Sequence, residues 1–332
     1  MKSIVLASSS KNKIELKSKE ISQPEEGHVQ IKIKASALNH RDEWARKGLY
    51  PNLKDGVTLG SDGAGEVFAL GKGVESSWLG KEVIINPAFH WGDNQKVQGA
   101  NFEILGMPRN GTFAEFINCP LDRLHEKPDH MTWEEAAALP LAGLTAYRAL
   151  FYQGEARSSD SILITGFGGG VAQFAAQFAL ALGGKTAITS SQKVKSLKAE
   201  SLGIQHTYNY LETDWIKKAL SETGGFDLII DGAAGNSFSD LLKVTKPGGR
   251  IVFYGATTGN PKEIDARRIF WNQIQVKGTT MGSDKDFLDM MNFVTENQIR
   301  PIIDEVFSLE NAVDAFEKMK AGKQMGKLVL VP

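Results

Sequence analysis

The segment Gly166-Phe-Gly-Gly-Gly170 follows a strand-like run, Ser161 to Thr165, and leads into a helical pattern with Val171, Phe174, Ala175, Phe178 and Leu182 on its apolar face. Glycines placed there meet three needs: positive φ for a tight turn out of a buried strand, close backbone approach to a diphosphate, and tight packing of the helix start. The free N–H groups and positive dipole end of the helix then favour an anion. Strand, turn, helix and strand within about 25 residues mark Gly166, Gly168, Gly169, Gly170 and Val171 as dinucleotide-binding, with an ordinary structural turn as the alternative.

The next strand-like run, Lys185 to Thr189, ends in Ser190-Ser191-Gln192-Lys193. A site for NAD usually places a carboxylate here, to accept from the ribose 2′-hydroxyl. Two hydroxyls and a cation suit a 2′-phosphate instead, so Ser190, Ser191 and Lys193 point to NADP. A solvated, positively charged helix start is the alternative reading. Asp231 and Gly255 end later strands, where doubly wound sheets place their ligands. Met281 and Ser283 follow one more strand and are expected to touch the nicotinamide.

Other reactive side chains are sparse. Cys119 is the one cysteine among 332 residues, so neither an internal disulfide nor an all-cysteine zinc site can form within one chain. Its strand-like run reads as a place for a small buried hydrophobe. His28, His125, His130 and His206 share no metal-ligand spacing, and His90 beside Trp91 reads as a solvated histidine. Lysine and arginine total 38 against 39 aspartates and glutamates, which leaves no global field for nucleic acid or an anionic membrane. The N-terminal MKSIVLASSSKNK lacks a secretory apolar core, and no apolar run approaches about 18 residues. The sequence reads as that of a cytoplasmic protein.

The chain length suits two domains. Its first part carries short extended runs, HVQIKIKASAL, GAGEVFAL, EVIINP and GTFAEFIN, some with the alternation of a half-buried sheet. Thr132 and Glu135 form a capping-box pattern, and Trp133 to Phe151 reads as a helix bent or divided at Pro140. From Ser161 strands and helices alternate, which predicts a parallel sheet covered on both faces. KPGG (Lys246 to Gly249) reads as a turn before the strand Arg250 to Gly255. A closing strand, GKLVLVP, is expected to return to the first sheet. The division expected is 1–125 with 271–332, and 126–270.

These patterns, with ALNHRDEWARKGLYP (Ala37 to Pro51), GSDGAGEV (Gly60 to Val67) and ALPLAGLTAYRAL (Ala138 to Leu150), resemble the medium-chain dehydrogenase/reductase superfamily, closest to its quinone oxidoreductase and zinc-type alcohol dehydrogenase-like branches. The resemblance spans essentially the whole chain. It implies an α/β protein: a GroES-like, β-rich catalytic domain plus a Rossmann-type doubly wound domain, a cleft at their junction, and commonly a homodimer. In zinc-dependent relatives a ligating cysteine stands at the position of Asn39, Gly-His-Glu at Gly60-Ser61-Asp62, and a third ligand near Leu141 and Ala142. The structural-zinc lobe, between about Asn86 and Asn110, would need four cysteines and has none. The departures predict no metal ligand at either site.

By the same resemblance Asn39 faces the nicotinamide and donates to a substrate carbonyl, Tyr50 lines the cleft as substrate contact, proton donor or packing residue, and Thr145 caps or contacts the nicotinamide side. Lys193 and Tyr210 align with a lysine and tyrosine that clasp the 2′-phosphate in quinone oxidoreductases. Asp42, beside Asn39, joins Asn39 and Tyr50 as a catalytic candidate, although a hydrogen-bonded structural carboxylate is its first reading. The expected activity is zinc-independent, NADPH-dependent reduction of a small activated carbonyl such as a quinone or an α,β-unsaturated ketone, by a homodimer without nucleic-acid or membrane partners. The alternatives are a zinc alcohol dehydrogenase with atypical ligands and a non-catalytic NADPH-binding protein, sensor-like or crystallin-like.

Overall fold

The computed structural model describes all 332 residues and divides into two compact units, Met1–Ala142 with Gly282–Pro332, and Gly143–Met281. The sequence reading placed these divisions earlier, after residues 125 and 270. Residues 126–142 belong to the first unit because the helix Trp133–Ala138 packs on the strands His28–Ala37 and Asp62–Leu70. Its capping box is present, with Thr132 accepting from the Glu135 N–H at 3.3 Å and Glu135 accepting from the Thr132 N–H at 2.9 Å. Leu139 ends this helix, and Pro140 starts the next, Pro140–Tyr147, at the position where its missing N–H costs nothing. A π-helical segment, Arg148–Gln153, follows.

The first unit is built on a seven-stranded sheet in which His28–Ala37 is central. It pairs antiparallel with Asp62–Leu70, with Phe116–Pro120, and with the closing strand Lys327–Val331. The last pairing realises the return of the chain end to the first sheet. Beyond Lys327–Val331 lies a parallel strand, Ile303–Ser308, that hydrophobic patterning did not reveal. An N-terminal hairpin, Lys2–Leu6 with Ile14–Ser18, was likewise not read from the sequence. One apolar core joins that hairpin to the helix Ala312–Lys320 through Ile4, Leu6, Phe113 and Phe316. A second contains Val29, Ile31, Val83, Ile85 and Cys119, which is the buried hydrophobe expected of it.

The second unit holds six parallel strands in the order His206–Tyr208, Lys185–Thr189, Ser161–Ile164, Phe226–Asp231, Thr245–Phe253, Gln275–Gly278. The run KPGG lies within the strand Thr245–Phe253 rather than before it; the pairing shifts register there, and Gly248 takes φ +73°. Ser161–Ile164 is buried at all four residues, as a sheet covered on both faces requires. The helix Gly170–Ala181 packs on this strand and on Lys185–Thr189, burying Phe174 and Phe178 completely. Each such burial contributes about 1.5–3 kcal/mol, so this face fixes the helix start against the strand ends.

Candidate functional site

In the first unit, the pairing of Ala37 with both Asp62 and Val329 brings three chain segments to one end of the sheet. The Leu38 N–H donates to the Leu328 carbonyl at 2.9 Å, which makes Asn39 and Lys327 neighbours. Lys327 Nζ donates to Asn39 Oδ1 at 2.7 Å and to Asp62 Oδ2 at 2.9 Å, and Asn39 Nδ2 donates to the same Asp62 oxygen at 2.8 Å. The other Asp62 oxygen accepts the Leu141 N–H at 2.8 Å. An ammonium only donates and a carboxylate only accepts, so chemistry fixes the amide orientation: Oδ1 toward Lys327, Nδ2 toward Asp62. One Asn39 N–H remains to donate. Lys327 is 3% exposed, Asp62 0% and Asn39 7%, so these contacts act with little solvent screening. Sequence reasoning singled out Asn39 and missed both Asp62 and Lys327.

Asn39 precedes the helix His40–Arg46, whose third residue is Asp42. Asp42 Oδ2 accepts the Asn39 N–H at 2.8 Å, which satisfies a buried helix-start donor. Burial pushes the Asp42 carboxyl up to about 6, against the lowering pull of Arg41 and of the Asn39 N–H. Its side chain thus holds the backbone that presents Asn39. Arg41 reaches the other way: Nη1 donates to Ser61 Oγ at 2.5 Å and to the Leu105 carbonyl at 2.6 Å, and Nε to the Tyr50 hydroxyl at 3.3 Å. The guanidinium carbon stands 4.7 Å from the Tyr50 ring centroid. Tyr50 accepts from Arg41, so its own O–H is left to donate.

This donor set does not fit zinc. Asn39 and Ser61 stand where the resemblance puts metal ligands, and each faces a buried cation, Lys327 and Arg41 respectively. The third position supplies the Leu141 backbone N–H, a donor, to Asp62. No group of three or more His, Cys, Asp or Glu side chains is placed to hold a metal ion. In the lobe where structural zinc would sit, Arg109 joins Glu103 at 2.5 Å and His90 at 3.1 Å, while Trp91 and Phe102 meet edge to face at 5.3 Å.

In the second unit, the turn Gly166–Gly170 is tied to the end of the strand Lys185–Thr189. The Phe167 N–H donates to the Thr189 carbonyl at 2.9 Å, and the Gly166 N–H to Thr189 Oγ1 at 3.2 Å. Gly166 and Gly168 have φ of +63° and +131°, conformations that favour glycine. Gly169 caps the helix with an extended backbone, and a Cβ there would meet nothing nearer than the Gly166 carbonyl at 3.9 Å. Open space in front of helix N–H groups is what a diphosphate needs, so the turn fits a dinucleotide. A Cβ on Gly168 would meet Lys195 Nζ at 2.9 Å, which places this lysine against the turn. Sequence reasoning passed over Lys195. Its position two residues into the helix Lys193–Ser201 was the available signal.

The remaining expected residues divide. Tyr210 donates to Ser191 Oγ at 3.1 Å, so these two are together, and Lys193 is exposed at the start of its helix. Ser190 is buried, and its hydroxyl accepts the Gln192 N–H at 3.2 Å, holding the turn. Asp231 accepts from Thr165 Oγ1 at 2.5 Å and from the Ala234 N–H at 2.7 Å, tying two strand ends together. Gly255 approaches the Gly232 carbonyl so closely that a Cβ would lie 3.1 Å from it. Thr145 is buried within the helix Pro140–Tyr147. Met281 is buried with φ +45°. Ser283 caps the helix Asp284–Glu296 and donates to Gln95 Oε1 at 2.6 Å. The Ser-x-x-Asp spacing from Ser283 to Asp286 was the signal for that cap.

The alcohol dehydrogenase GroES-like domain profile matches residues 25–129, and the zinc-binding dehydrogenase profile matches residues 170–296. The zinc-type alcohol dehydrogenase-like protein YogA of Leptosphaeria maculans is 36% identical over 332 residues, covering 93% of this chain and 92% of its own. The synaptic vesicle membrane protein VAT-1 homolog of Homo sapiens is 29% identical, covering 93% of this chain and 80% of its own. A crystal structure of an NAD-dependent alcohol dehydrogenase superposes over the full length of both chains with a TM-score of 0.95 at 33% identity. With two domain profiles in order and full-length relatives above 30% identity, the chain belongs to the medium-chain dehydrogenase/reductase superfamily of oxidoreductases.

Proposed function

We propose that this protein is a zinc-independent, NADPH-dependent oxidoreductase that reduces an activated carbonyl compound, a quinone or an α,β-unsaturated ketone. The observation that carries the reading is the Asn39–Asp62–Lys327 cluster, an amide donor backed by a buried cation where zinc-dependent relatives bind their metal. When bound, the reduced nicotinamide supplies a hydride to the electrophilic carbon of the acceptor; with one proton from solvent or Tyr50, an enone becomes the saturated ketone and a quinone the hydroquinone. The remaining Asn39 N–H donates to the carbonyl oxygen, on which negative charge develops. Tyr50, accepting from Arg41, keeps its hydroxyl proton for the same oxygen or for the product. Conjugation in the acceptor spreads the charge, which suits a site whose polarising group is an amide.

Ser191, Tyr210 and Lys193 support NADPH, in the absence of a carboxylate at the end of the strand Lys185–Thr189. Gly166, Gly168, Gly169, Gly170 and Val171 are assigned to the diphosphate, and Thr145, Gly255 and Met281 to the nicotinamide side. A second reading, NAD-linked alcohol oxidation, draws on the likeness to the NAD-dependent alcohol dehydrogenase that superposes at 33% identity. NADPH consumption with a panel of quinones and enones, run beside NAD reduction with primary and secondary alcohols, separates the two. The first pair is expected to turn over; activity with NAD and alcohols alone would replace the proposal.

A cytoplasmic homodimer is part of the same reading. No helix is long and apolar enough to cross a membrane. Phe270 and Trp271, 66% and 80% exposed, precede the outer strand Gln275–Gly278, whose open edge suits pairing with a second copy. Sedimentation equilibrium should return twice the chain mass, and a monomer would remove this part.

A further inference from the structure

We infer that Lys327 is the positioning residue of the acceptor site, its ammonium fixing the Asn39 carboxamide that meets the substrate carbonyl. This deepens the proposed reduction and rests on it for the role of Asn39.

The argument begins with charge. Asp62 is wholly buried, and a lone carboxylate at such a site would cost several kcal/mol. Lys327 Nζ, 2.9 Å away and itself 3% exposed, supplies the opposite charge. The same ammonium reaches Asn39 Oδ1 at 2.7 Å, and Asp62 accepts from Asn39 Nδ2 at 2.8 Å. Cation and anion therefore grip opposite ends of one carboxamide. A cation on the oxygen and an anion on one N–H restrict its rotation, and the cation draws electron density from the nitrogen. The second N–H is thereby both fixed and made a better donor.

Backbone geometry would not hold Asn39 this way. Asn39 is the N-cap of the helix His40–Arg46, in a capping-box arrangement with Asp42, and its carboxamide oxygen accepts from Lys327. Asp42 accepts the Asn39 N–H and holds the backbone, while Lys327 and Asp62 hold the two ends of the carboxamide.

The test uses three variants of the full-length protein: Lys327→Met, Lys327→Arg and the double variant Lys327→Met/Asp62→Asn. Lys327→Met leaves Asp62 buried without its cation and should lower the unfolding temperature, whereas the double variant removes both charges and should recover it. Activity should not follow stability. The double variant is expected to keep kcat about tenfold or more below wild type with KM for NADPH unchanged, and Lys327→Arg to restore part of it. A double variant that regains both stability and kcat would show that Lys327 only neutralises Asp62, and would overturn the inference.

A readout that needs no turnover separates this inference from the reading on which it rests. In protein labelled with ¹⁵N-asparagine, the Asn39 carboxamide pair, assigned by its loss in Asn39→Ala, should be slow to exchange. In Lys327→Met/Asp62→Asn it should shift and exchange rapidly. An Asn39 resonance unchanged in the double variant contradicts the role of Lys327. Lack of wild-type turnover with every acceptor contradicts carbonyl reduction.

Discussion

The Lys327 ammonium lies 2.9 Å from the Asp62 carboxylate, although 265 positions separate the two residues in the chain. The contact exists because the last strand of the protein returns to the sheet begun by its first third, in register with Ala37. It sets a buried ion pair beside the Asn39 carboxamide.

Asp42 gives a pH signature for this corner of the structure. Burial raises its carboxyl from the ordinary 3.8 to about 6, so between those values the folded protein binds a proton that the unfolded chain releases. Stability from this group is therefore lost as pH rises through the window, by up to about 3 kcal/mol. Asp42→Asn keeps an acceptor for the Asn39 N–H and does not titrate. Its unfolding midpoint relative to wild type should climb between pH 4 and pH 7; a constant difference would show that Asp42 titrates normally.

The glycine turn allows fold and cofactor binding to be separated. Gly169 has φ −81° and ψ 157°, open to any residue, and a Cβ there meets no atom closer than 3.9 Å. Gly169→Val should unfold at nearly the wild-type temperature and lose NADPH binding, because its side chain fills the space before the helix. Gly168→Val should lose both, since φ +131° strains the backbone and Lys195 stands in the way. NADPH affinity retained in Gly169→Val would reduce the turn to a structural role; Gly170→Val, one residue on, is expected to weaken NADPH in the same way.

Cofactor choice is read at Lys193. A charge-assisted contact to the 2′-phosphate is worth roughly 1.5–3 kcal/mol, so Lys193→Ala should weaken NADPH about ten- to a hundredfold and leave NADH nearly unchanged. The NADPH advantage of the wild type should shrink as salt rises. Isothermal titration with both cofactors measures this directly. Equal losses would move Lys193 away from the phosphate, and a wild-type preference for NADH would favour the alcohol dehydrogenase reading.

What could be read from sequence follows the range of the interactions. The glycine turn, the parallel unit and the returning strand are patterns of a few dozen residues, and they appear in the structure. The site in the first unit depends on Asn39, Asp62 and Lys327, brought together by strand pairing, and no local spacing announces it. Resemblance identified Asn39 through the residue it replaces. Asp62 sat in view within GSDGAGEV, and Lys327 at the start of an apolar strand, but neither type alone reveals a partner. At Ser190 and Ser283 the hydroxyls also bond the backbone around them, as short polar side chains at turns and helix starts commonly do.

The central claim is that this fold reduces a carbonyl without zinc, and one measurement tests it most directly. Protein purified without a metal-affinity tag and dialysed against a chelator is assayed for NADPH oxidation with the quinone and enone panel, with zinc counted in the same sample by elemental analysis. The account predicts turnover at well below one zinc per chain, unchanged by added zinc and lowered about a hundredfold in Asn39→Ala. Near-stoichiometric zinc whose removal abolishes turnover, and whose return restores it, would contradict it.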